Sequence, residues 1–106
     1  MENVIKGADI SAEQVKKWKQ QYGLLGKFKV IEGGVEKITF VRKPTNKEID
    51  FASANLTRGM LTQYGITLFN TCKIGGDDIT TEEGLRTVGQ RMNEMIEAAE
   101  VEFEKI

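Results

Sequence analysis

The residues able to do chemistry are few, and most crowd into one stretch, NTCKIGGDDITTEEG, residues 70–84. Cys72 is the single cysteine, and the chain has no histidine. That excludes Cys-His and Ser-His nucleophile activation, histidine metal ligation and a histidine pH switch. Cys72 shares an apolar stripe with Leu61, Gly65 and Leu68, so it is expected to be a small core residue rather than a reactive thiol. Gly75-Gly76-Asp77-Asp78 lacks the Gly-Lys-Ser/Thr ending of a phosphate-cradling loop. Asp77 and Asp78 alone are too few for a hard-cation cage, and the spacing of an EF-hand loop is absent. Nowhere do an acid, a base and an oxyanion donor recur at an interpretable spacing. The sequence therefore predicts no catalytic residue, no cofactor, no metal site and no enzyme.

The stretch reads instead as a turn that aims a helix. Gly75 and Gly76 supply the backbone freedom a helix stop requires. Thr80 and Glu83 match a capping box at the start of a final helix, and Asp77, Asp78, Glu82 and Glu83 complement its dipole.

Four helices and one hairpin must hold this turn in place. Ser11 and Gln14 cap a helix over residues 11–22, with Val15, Trp18 and Tyr22 on one face. Trp18 is expected to anchor it to the core. Residues 27–42 read as a β-hairpin around Gly33 and Gly34. A three-residue loop, Gly33-Gly34-Val35, pairs Phe28 with Phe40 and Val30 with Ile38 on one apolar face. It sends Lys27, Lys29 and Lys37 to the other face, away from the aromatics, which disfavours single-stranded nucleic-acid binding. Pro44 ends the strand, and Thr45 with Glu48 caps a helix over 45–57. A third helix, over 60–73, carries Gly65 in its interior, where glycine costs about 1 kcal/mol relative to alanine and implies close packing against another helix. The last helix is read over 81–105. Its apolar positions Leu85, Val88, Met92, Ile96, Ala99, Phe103 and Ile106 recur every three or four residues. At 1.5 Å per residue it would be almost 40 Å long, roughly more than so small a domain needs. The fold class is α+β: one β-hairpin packed against about four helices, with a long C-terminal amphipathic helix.

A chain of 106 residues makes one domain, with residues 1–10 expected as a flexible leader. It has no apolar run fit for a signal peptide or a membrane span, so no membrane partner is expected. One cysteine excludes an internal disulfide and fits a reducing cytosol. Charge is divided: residues 1–47 hold ten Lys/Arg and five Asp/Glu, whereas residues 48–106 hold five and eleven. A basic and an acidic pole suit either attraction within the fold or head-to-tail self-association into a homo-oligomer. A net charge of −1 argues against a nucleic-acid-binding regulator.

The order of motifs carries a resemblance over residues 15–106. KKWKQQYG is followed by a hairpin ending in VRKPTNKEI, then by LFNTC, IGGDDI and an acidic final helix. This resembles small tail-module proteins of tailed bacteriophages, in particular tail assembly chaperones. It departs from that pattern at Lys73, where an aromatic is expected after the cysteine. The resemblance implies a non-enzymatic assembly factor in the host bacterial cytoplasm, binding tape measure or tail tube proteins. A minor structural component kept within the virion is the alternative. The expected interface combines Met92, Met95, Ile96, Ala99 and Phe103 with a basic set, Lys27, Lys29, Lys37, Arg42 and Lys43. The methionines are read there as an adaptable helix surface.

Overall fold

Both faces of a small antiparallel sheet are covered by other elements, and this arrangement governs where every candidate residue points. The computed structural model describes residues 6–97 and 104–105. A 3-10 turn, Gly7–Asp9, precedes α1 (Ala12–Tyr22), β1 (Leu25–Glu32), β2 (Val35–Arg42), α2 (Asn46–Thr57), α3 (Leu61–Cys72), β3 (Lys73–Gly76), α4 (Glu82–Arg91) and α5 (Asn93–Glu97). The sheet order is β1-β2-β3. The chain is α+β, as expected, with β3 added to the hairpin.

The helices start where the sequence marks them. Ser11 Oγ accepts from the Gln14 N–H, and Gly23 stops α1 at φ 81°. Thr45 and Glu48 form a complete capping box on α2. The final helical segment differs. Its N-cap is Thr81 rather than Thr80, and Thr81 Oγ1 accepts from the Gly84 N–H, so Glu83 is not a box partner. Met92 interrupts the helix: the Met92 N–H bonds Gly89 and the Met95 N–H bonds Met92, each three residues back. Residues 98–103 lie outside the described residues, and Glu104 and Lys105 are not helical.

The hairpin register also differs from expectation. Glu32 pairs with Val35, so the loop is the two glycines alone, with φ of 56° and 80°. Positive φ at both loop positions is what a type I′ turn demands, and its twist matches that of the strands. Phe28 therefore faces Thr39, and Lys27 faces Phe40. A three-residue loop would be favoured only if a single face of the sheet were buried. In fact Phe28 and Val30 point to the α3–α4 side, whereas Ile38 and Phe40 point to the α1 side. Neither apolar set is wasted.

The core lies between the sheet and α3–α4. Val41, Leu68, Phe69, Cys72, Val88 and Met92 are fully buried there, and Phe28 meets Phe69 edge-on at 6.0 Å. Gly65 and Gly89 let the helices touch at backbone distance. A Cβ on Gly65 would lie 2.5 Å from the Gly89 carbonyl oxygen. That is the close helix packing the interior glycine implies.

Candidate interaction surfaces and the polar ties behind them

Three carboxylates tie the elements together, and their placement decides which basic residues remain for a partner. Glu32, the last residue of β1, is buried. It accepts from the Thr80 and Thr81 N–H groups at 3.3 and 2.8 Å, from the Thr81 hydroxyl, and from Lys37 Nζ at 2.7 Å. Lys37 first, and then Thr81, hold its pKa down at about 2. The hairpin thus supplies from across the fold the negative charge that α4 needs at its N-terminus. Gly84 leaves room for it, since a Cβ there would meet the Glu32 carboxylate at 2.5 Å.

Asp77 is a second tie. Its two oxygens accept from the Gly7 and Ile38 N–H groups at 3.0 and 2.9 Å, while its own N–H donates to the Ile38 carbonyl. These backbone bonds lower its pKa. The aspartate expected to serve the α4 dipole instead continues the β2–β3 ladder and fixes the segment before α1. Just ahead of it, β3 replaces the expected turn. Gly75 lies beneath the Trp18 ring, and Gly76, at φ 100°, lies against the β2 backbone.

The third tie joins β2, α2 and α3. Arg42 forms a two-point pair with Glu48 at 2.7 and 2.6 Å, and it also donates to the Thr71 carbonyl. The guanidinium holds the Glu48 pKa down at about 2. Cys72 is fully buried beside this pair, and burial pushes its thiol up to about 11. It carries no thiolate at neutral pH, in keeping with its expected core role.

The eight candidate interface residues that lie among the described residues are therefore scattered. Met92 and Met95 are core residues, which corrects the reading of them as an adaptable surface: the turn at Met92 brings both against the sheet, with Met95 Sδ over Gly26. Ile96 packs on the edge of that core. Ala99 and Phe103 lie outside the described residues. Among the cations, Lys37 and Arg42 are held by Glu32 and Glu48, and Lys37 lies on the opposite sheet face from Lys27 and Lys29. Lys27, Lys29 and Lys43 are exposed, with Lys29 in a solvent-exposed pair with Glu36 at 3.4 Å.

Other exposed groups were not anticipated. Phe51 is 75% exposed on α2 and Leu61 68% exposed at the start of α3, with Leu56 and Met60 between them also exposed. Leu61 was expected to be buried on the Gly65–Leu68 stripe. It sits instead in the first turn of α3, where it borders an open cleft with Glu82 and Arg86 of α4. On the α1 side of the sheet, a cleft of about 550 Å³ is lined by Ile10, Val15, Ile38 and Phe40 and bordered by Lys16, Lys19 and Lys27.

Among the described residues no helix is long and apolar enough to cross a membrane, and no group of three or more acidic or cysteine side chains is placed to hold a metal ion. No family model, curated protein or solved structure matches the chain.

Proposed function

We propose that this protein is a non-enzymatic assembly factor acting through protein–protein contacts, of the tail assembly chaperone kind in tailed bacteriophages. The observation that supports the reading is the α2–α3 hairpin. Four large apolar side chains, Phe51, Leu56, Met60 and Leu61, stand in solvent within one short stretch of chain. Burying them stabilises a complex by roughly 1.5–3 kcal/mol for each side chain fully covered. Large apolar side chains gathered into one exposed patch mark a surface that a partner covers. The partner's chemistry follows: an apolar surface, such as one stripe of a long amphipathic helix, which a tape measure protein would supply.

Co-expression with the tape measure protein of the same phage, followed by pull-down, tests this. Capture is expected, and Phe51→Asp with Leu61→Asp is expected to abolish it while leaving the circular dichroism spectrum unchanged. Capture that survives both substitutions removes the hairpin from the interface, and failure of the parent chain to capture the protein overturns the reading. Mass spectrometry of mature particles separates the chaperone, which is absent from them, from a structural component, which is present.

A further inference from the structure

The cleft on the α1 side of the sheet joins an apolar lining to a cationic rim. Its volume, about 550 Å³, is that of a ligand site. Ile38 and Phe40 of β2 and Val15 of α1 line it. Lys16 and Lys19 of α1 and Lys27 of β1 border it, and all three are exposed. Among the described residues no acidic side chain lines the cleft, and these lysines form no ion pair. Elsewhere the cations between elements are matched: Lys37, Arg42 and Lys73 meet Glu32, Glu48 and Asp78. Lys16 and Lys19 are three residues apart on one helix, where like charges repel. The fold thus gathers positive charge around apolar surface and leaves that charge unanswered.

We propose that this cleft docks an acidic segment of a partner protein, one in which carboxylates flank an apolar side chain. The apolar side chain enters between α1 and β2, against Val15, Ile38 and Phe40. The flanking carboxylates meet Lys16 and Lys19 on the helix and Lys27 on the strand, a match of charge that favours this partner over neutral or basic ones. Two other classes of occupant fit less well. Single-stranded nucleic acid needs exposed aromatic faces for stacking, whereas Phe40 is buried and Trp18 is half-buried against it. A bilayer is entered by apolar side chains that project, whereas Val15 and Ile38 are half-buried in a recess. The cleft lies across the sheet from α3, so the inference goes beyond the α2–α3 contact proposed above and is tested apart from it.

Trp18 is the single tryptophan and packs on Phe40, so its fluorescence reports the cleft. The full chain is titrated with the capped peptide Glu-Leu-Glu-Val-Glu-Leu. A saturable change is expected, with affinity falling as salt rises. The peptide with serine in place of its leucines and valine requires no change to the protein, and it is expected to bind about tenfold more weakly. Lys16→Glu with Lys27→Glu is expected to weaken binding of the first peptide on the order of tenfold. A peptide with lysine in place of each glutamate is expected to prefer that variant to the parent chain, which also shows the variant folded. No saturable change, equal binding of the serine peptide, or binding indifferent to the charge reversal each overturns the proposal. So does sedimentation with vesicles of phosphatidylserine and phosphatidylcholine in equal parts that the same reversal abolishes, because the rim then serves a lipid surface.

Discussion

The two faces of the sheet are covered in different ways. On the α3–α4 side, side chains interlock without solvent around Leu68, Phe69, Val88 and Met92, and two helices meet at glycine backbones. On the α1 side the cover is thinner: Trp18 lies against Phe40, with ring centroids 5.6 Å apart, and the turn at Gly7 lies against Ile38. No residue of α1 is fully buried, and the cleft beside it is bordered by lysines. The first face holds the fold together. The second is thinly covered, and Lys16, Lys19 and Lys27 on it form no ion pair among the described residues.

The strongest way to break this contrast is at the helix crossing. Gly65→Ala and Gly89→Ala each place a Cβ against backbone that cannot swing aside, at 2.5 and 2.8 Å. Each is expected to cost about 3 kcal/mol, outweighing the roughly 1 kcal/mol that alanine gains over glycine in helix propensity. Urea denaturation checks this. A loss below about 1 kcal/mol would show that the helices can part freely and that the two faces are not so different.

The thin face gives a smaller number. Trp18→Ala is expected to cost about 1–2 kcal/mol, because the ring is half-buried and makes one aromatic contact. The Phe40 ring resonances are expected to move while those of Phe69, on the far face, stay. A loss matching that of the glycine variants would make α1 as integral as α3.

The same contrast explains how far the sequence could be read. The starts of α1 and α2 were legible because each carries its own punctuation, Ser11 in one and Thr45 with Glu48 in the other, as was the stop of α1 at Gly23. The close approach at Gly65 was legible because an interior glycine needs a reason. The hairpin register was not, because alternation along one hairpin does not tell whether its second face is covered, and Trp18 lies too far away in sequence to reveal it. β3 was hidden because Lys-Ile-Gly-Gly looks like a turn, and its pairing with Thr39 and Phe40 is long-range. The methionine surface failed for a similar reason. Helical spacing put Met92 and Met95 on a stripe, but which neighbour covers it depends on where the turn at Met92 sends α5. Glu32 gave no local signal, since the N-terminus it serves is 48 residues away.

Acid titration probes the ties between the faces. Glu32 and Glu48 have pKa values near 2 in the folded chain against an ordinary 4.5, and Asp77 is shifted the same way. Between those values the unfolded chain binds more protons, so stability falls with falling pH. The contribution is complete above about pH 4.5 and lost as pH drops through about 2. The melting temperature is expected to hold from pH 7 to 5 and to decline from pH 4.5 downward. Glu48→Gln is expected to cost about 1 kcal/mol at pH 7 and to flatten that decline, because its partially exposed pair with Arg42 is then already broken. A decline of unchanged steepness in Glu48→Gln and Glu32→Gln would move the acid sensitivity elsewhere.

The smallest effect is expected from the lysines of the thin face. Lys16 and Lys27 are exposed, border the cleft against α1, and form no ion pair among the described residues. Removing both charges as Lys16→Ala with Lys27→Ala is expected to change the unfolding free energy by no more than about 0.5 kcal/mol. Stability retained separates the roles of the two faces: one fixes the fold, and the other carries charge that the fold does not use. A loss comparable to that of Trp18→Ala would instead make these lysines part of how α1 is held, through their aliphatic stems lying over Ile38 and Phe40.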